Sequence, residues 1–172
     1  MASRIHRAPA TAPLWRGAHG VGISQTVLVA CAPFGPRLPA DAVASAIARG
    51  LQDGGLPEPD VCPLSGPGAA AGTRTGEGDV RELLDALDFD ARMRAARAVV
   101  IGARRLEERA LAGSVTFEIA TRARQGGIPA YAVAGEDALE PFDARILDLQ
   151  LVLQADSRRA LAAAGRRLAS IV

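Results

Sequence analysis

The chain has 172 residues, 49% hydrophobic and 23% charged, the proportions of one compact globular domain and not of a wholly disordered chain. Its 20 basic residues against 19 acidic ones leave a net charge of +1, no footprint for a phosphate backbone, so nucleic acid is not an expected partner. Every basic residue is Arg, because the sequence contains no Lys, and a P-loop or a Schiff-base mechanism has no side-chain amine to use.

No apolar stretch approaches the roughly 20 residues of a membrane span, so no membrane partner is expected. The opening residues 1–24 contain no acid, lack an apolar signal core and hold both histidines, His6 and His19. They are expected to be a disordered tail ahead of a single domain over residues 25–172. Cys31 and Cys62 have neither the number for a disulfide scaffold nor C-x-x-C spacing, which fits a reducing, cytoplasmic setting.

From Thr26 onward short apolar runs alternate with amphipathic stretches, the signal for a parallel sheet covered by helices. Residues 27–31 predict a buried first strand. Residues 40–51 place Val43, Ala44, Ile47 and Leu51 on one helical face, closed by Asp53-Gly54-Gly55. A strand over 60–64 follows Pro57 and Pro59, and residues 65–78 are loop, rich in Gly, Pro and Ala. A helix over 80–87, a strand over 98–101 and a helix over 115–124 come next, then strands over 130–134 and 149–153. Ser157 is placed to cap a last helix bearing Leu161, Ala164 and Leu168. The sum is a Rossmann-like α/β fold, a doubly wound and mostly parallel sheet of about five strands with helices on both faces, whose ligands sit at the C-terminal strand ends.

Gly66-Pro67-Gly68 with Gly72 follows a strand, but the spacing is not G-x-G-x-x-G and Pro67 removes a donor where the turn would cradle pyrophosphate. Glu77 and Asp79 are read as an acidic helix start favoured by the helix dipole, in preference to cation ligands. Cys31 and Cys62 are read as small core residues in preference to a redox pair. Arg158, Arg159, Arg166 and Arg167 lie mostly off the apolar stripe of the last helix and form a solvated face. Arg104 and Arg105 directly follow a strand and stand at the ligand edge.

Residues 89–114, FDARMRAARAVVIGARRLEERALAGS, followed by a helix and then GGIPAYAVAGE, resemble the C-terminal part of the bacterial two-domain glycerate kinases, where such a helix and strand lead into a T-G-E-G-R-L-D-x-Q-T-x-x-G-K loop. VLVACAPFGPRLPADAVASAIARGL resembles the family's opening strand, A-P-D-S-F-K-G-S-L-S-A loop and first helix. The family carries a P-M-A-D-G-G-E-G-T loop and an inserted second domain between these segments. Residues 65–78 leave no room for it, so the resemblance implies a truncated, single-domain relative.

Against the family pattern, Gly102, Arg105, Leu106 and Gly113 match. Ala32 and Gly35 stand where the first loop has Asp and Lys, with Arg37 the nearest cation. In the later loop Ala103 and Arg104 replace Glu and Gly, Glu107 replaces Asp, Arg109 and Ala110 replace Gln and Thr, and Ser114 replaces Lys. Loss of one preorganised contact commonly costs about 3 to 4 kcal/mol of transition-state stabilisation. The resemblance therefore implies a motif-degenerate relative with little or no phosphotransferase activity alone, binding a small anion such as glycerate or a nucleotide, with a homo-oligomer as a further possibility. Arg37, Gly102, Arg104, Arg105, Gly113 and Ser114 are the candidate ligand-binding residues. The alternative is an active ATP-dependent glycerate kinase acting on a small hydroxy acid with Mg²⁺ and Glu107 as the catalytic group; no resident metal site is expected.

Overall fold

The computed structural model describes residues 26–65, 77–107 and 113–172. The strands are β1 (Val27–Cys31), β2 (Asp60–Pro63), β3 (Ala98–Glu107), β4 (Ala130–Ala138) and β5 (Leu149–Gln154). Between and after them run α1 (Ala40–Asp53), α2 (Glu77–Ala86), α3 (Phe89–Ala95), α4 (Val115–Gln125), α5 (Pro141–Ile146) and α6 (Arg158–Ala169). All strand pairs are parallel, in the order β2-β1-β3-β4-β5. This is the doubly wound α/β architecture that the alternating pattern predicts.

Side chains alternate across the sheet, so neighbouring residues of one strand feed two separate cores. Val27, Val29 and Cys31 of β1, with Val100 of β3, pack against Val43, Ile47 and Leu51 of α1 and Leu161 and Leu168 of α6. Leu28 and Ala30, with Ile101, pack the opposite way against Leu84 of α2, Phe89 and Met93 of α3, and Ile119 of α4. Near-continuous apolar strands such as Val27–Cys31, buried throughout, are what a sheet covered on both faces requires.

The helix ends follow from local chemistry. Ser114 caps α4 by accepting from the Phe117 N–H at 3.1 Å, and Ser157 caps α6 by accepting from the Ala160 N–H at 3.3 Å. Gly55 and Gly127 take positive φ, 94° and 65°, just past α1 and α4.

Four elements differ from the sequence pattern. Strands β3 and β4 run on to Glu107 and Ala138, well past the apolar runs, because their extensions pair with each other: Arg105 with Glu136, Leu106 with Asp137, Glu107 with Ala138. A ribbon held by a partner strand needs no apolar signature of its own. Helix α2 starts at Glu77, three residues earlier than its apolar positions indicate. The short α5, with Pro141 in its first turn, had no separate signal. The tail over residues 1–24, the Gly66-Pro67-Gly68 and Gly72 motif, and Arg109 and Ala110 lie outside the described residues. No helix among the described residues is long and apolar enough to cross a membrane.

Candidate functional site

The sheet grows from β1 towards β2 in one direction and through β3, β4 and β5 in the other. The segments leaving the carboxyl ends of β1 and β3 therefore diverge, which is where open α/β sheets form a ligand crevice. The predicted site residues fall on three structural pieces around this point.

The first piece is the loop after β1. The Leu38 N–H donates to the Gly35 carbonyl at 3.1 Å and the Phe34 N–H to the Leu38 carbonyl at 2.9 Å, closing a tight turn with Arg37 exposed at its tip. Gly35 has φ 138°, which favours glycine. Phe34 is buried, and its ring lies 3.5 Å from where a Cβ on Gly135 would stand, so the loop is anchored over β4.

The second piece is the β3–β4 ribbon. Arg104 and Arg105 are both exposed. The Arg105 guanidinium sits between two carboxylates, with Nε 2.9 Å from Glu107 and Nη1 3.3 Å from Glu136. At this exposure the pairs contribute about 0 to 1 kcal/mol each to stability, but they decide the local charge: one cation faces two anions. Arg104 and Arg37 form no ion pair among the described residues. Gly135 lets the Arg104 carbonyl approach to 2.6 Å of where its Cβ would be, a position that the sequence reading missed although a glycine inside a strand signals close backbone contact.

Gly102 lies deeper, within the sheet, and the space of its missing side chain is filled by Cys31 Sγ, 2.4 Å from an ideal Cβ. Its glycine thus has a packing reason. Burial pushes the Cys31 thiol far up, against a smaller opposing effect of a backbone hydrogen bond with Gly102. Burial also raises Cys62, partly countered by Arg92. The two free thiols belong to cores on opposite faces of the sheet, so they serve as packing residues and not as a redox pair.

The third piece is the start of α4. Gly113 has φ 79° and turns the chain into the helix, and Ser114 caps it. Both residues line a pocket of about 160 Å³ with Val80 and Arg81 of α2 and Phe117 and Glu118 of α4. Val80, Arg81, Phe117 and Glu118 were not singled out in the sequence because only tertiary packing brings α2 against α4. Glu118 is engaged by Arg122 Nε at 2.8 Å, which leaves Arg81 and the α4 N-terminus as the positive elements of the pocket. Among the described residues no group of three or more His, Cys, Asp or Glu side chains is arranged to hold a metal ion.

No curated protein sequence matches the chain. Among solved structures it is similar to glycerate kinase 2 from Salmonella typhimurium LT2, at 18% identity and TM-score 0.41, over 54% of this chain and 25% of that one. The chain thus spans about a quarter of that protein's length. It is also similar to a diflavin flavoprotein A3 from Nostoc sp., at 20% identity and TM-score 0.43, over 85% of this chain and 91% of that one. The family rests on sequence: the model of the glycerate kinase family matches residues 64–168, from the end of β2 through nearly all of α6. With well over half of its length so matched, the chain belongs to the glycerate kinase family.

Proposed function

We propose that this chain is a family member with little or no phosphotransferase activity by itself, and that it binds a small anion at the carboxyl edge of the sheet. The observation that carries the reading is the clamp on Arg105, whose guanidinium is the counter-ion of Glu107 and Glu136. Phosphoryl transfer needs positioned cations on the phosphates and a metal bridging them. With Arg105 shared between two carboxylates, a Mg²⁺ at Glu107 would have to compete with a guanidinium 2.9 Å away, and that guanidinium is already engaged rather than aimed at a phosphate.

Anion binding draws support from the pocket beside Gly113 and Ser114, where Arg81 and the N-terminal end of α4 supply positive potential. About 160 Å³ is below the roughly 300 to 1,000 Å³ of sites for drug-sized ligands, which favours a three-carbon acid such as glycerate over a nucleotide. In this proposal Arg37 and Arg104 attract the anion from either side of the crevice, Gly113 and Ser114 line the pocket that receives it, and Gly102 and Arg105 keep the edge in shape.

The test is glycerate-dependent ADP formation from ATP and Mg²⁺, with a two-domain glycerate kinase as control, alongside calorimetric titration of glycerate and ATP. The expectation is no turnover above background and measurable glycerate binding that weakens at least several-fold in Arg81→Ala. Turnover of about 1 s⁻¹ or more would establish the active kinase instead, and its abolition in Glu107→Gln would assign that carboxylate.

A further inference from the structure

The two outer strands of the sheet are finished differently. β2 is only four residues long, Asp60–Pro63, lies between Pro59 and its own terminal Pro63, and has its Val61 carbonyl taken by Arg92 Nη2 at 2.9 Å. Prolines, shortness and a covering side chain are the devices by which sheets prevent edge-to-edge pairing. β5 has none of them. Its six residues, Leu-Gln-Leu-Val-Leu-Gln, contain no charge and no proline, and no described strand pairs with its outer side.

Residues 150–154 read Gln-Leu-Val-Leu-Gln, the same in both directions. Two copies of such a strand laid antiparallel about a twofold axis through Val152 set Val152 opposite Val152, Leu151 opposite Leu153 and Gln150 opposite Gln154. Every cross-strand pair then joins like with like in size and polarity, the arrangement that stabilises an antiparallel ladder. Leu149, Leu151 and Val152 are only partly buried in the single chain. Just before the strand, α5 exposes Phe142 and Ile146, 71% and 45% accessible and four residues apart on one helical face.

Charge does not carry the pairing. The same register sets exposed Asp148 opposite exposed Asp156, with exposed Arg145 near one end of β5 and exposed Arg158 and Arg159 near the other. Self-complementarity lies in the uncharged segment between these ends.

We propose that the outer edge of β5 is a homodimer interface in which a second copy of this chain pairs antiparallel about Val152, joining the two sheets into one of ten strands. The occupant is a second copy because the edge offers backbone donors and acceptors that demand a strand, and its palindrome is complementary to itself. The proposal is independent of the anion-binding reading.

The full chain is examined by sedimentation equilibrium up to on the order of 100 µM, and Val152→Cys by oxidation followed by non-reducing electrophoresis. A concentration-dependent dimer is expected, and Val152→Lys, which opposes two ammonium groups at the twofold, should weaken it at least 100-fold with an unchanged circular dichroism spectrum. Directly opposed residues of antiparallel strands lie about 4.5 to 5.5 Å apart at Cα, within disulfide range. Val152→Cys should therefore cross-link, and Gln150→Cys, opposite Gln154, should not. If Val152→Lys fails to fold, the cysteine pair of variants still decides. A chain that stays monomeric throughout, or a dimer in which Val152→Cys fails to cross-link, overturns the proposal.

Discussion

The two helical layers both pack apolar side chains on the same sheet, but the helices within each meet one another by different physics. On one face α1 and α6 meet through glycines: a Cβ on Gly50 would stand 2.1 Å from the Ala162 carbonyl oxygen, and one on Gly165 would stand 2.3 Å from that of Ile47. On the other face α2, α3 and α4 are tied by Arg122, whose side chain is 13% accessible and reaches Glu118 at 2.8 Å, Asp90 at 2.9 Å and Asp85 at 3.7 Å. Arg92 similarly joins α3 to β2 through Asp60 at 2.6 Å and 2.9 Å. In the first layer the two helices meet by backbone shape. The second, on an equally apolar core, adds ion pairs between its helices, leaves a pocket between α2 and α4, and is the layer in which the candidate anion site lies.

This contrast can be broken from either side. The largest expected effect is at the core of the charge-tied layer: Phe89 is fully buried, and Phe89→Ala should cost about 4 kcal/mol in urea unfolding. Gly165→Val comes next, at about 3 kcal/mol, since the clash is with backbone that no rotamer can move. A cost under about 1 kcal/mol would mean that α6 can shift and the contact is loose.

Arg122→Ala should cost about 1 to 2 kcal/mol, because it removes charged hydrogen bonds to partly exposed carboxylates. About 1 M salt should narrow that gap while leaving the Gly165→Val penalty intact, and this difference separates the two layers directly.

The smallest effect is a pH dependence. Burial holds the Cys31 thiol protonated in the folded chain, whereas an exposed thiol ionises around its ordinary value of 9.0. The folded state then binds the extra proton, so stability is complete below that pH and falls as pH rises past it. Each buried thiol adds a slope of up to about 1.4 kcal/mol per pH unit. Cys31→Ala should flatten the decline measured by urea unfolding between pH 8 and roughly 10, and an unaltered slope would remove Cys31 as its source.

Much of the fold was legible in the chain. The runs at Val27–Cys31 and Ala98–Ile101 and the four-residue spacing of Val115, Ile119 and Ala123 carry their periodicity locally, and the structure forms the expected strands and helix there. Ser157 was legible as a cap because a cap concerns only the next three residues. The placement of the candidate site residues was legible in part. Arg37, Arg104, Arg105, Glu107, Gly113 and Ser114 do come to the carboxyl edge, but their sequence spacing cannot show that Glu136, on another strand, takes a share of Arg105. Nor does it show that Gly102 makes room for Cys31, or that Arg81 joins Ser114 around one pocket.

The sequence by itself determined the alternation of strand and helix, the caps, the lack of any lysine and the palindrome in β5, because each is a property of neighbouring residues. Tertiary structure alone decided strand order, the fit of Gly50 against Gly165, the ribbon beyond the apolar cores and which carboxylates neutralise which arginine. Those depend on groups far apart in the chain, whose meeting is set by how two helical layers close on one twisted sheet.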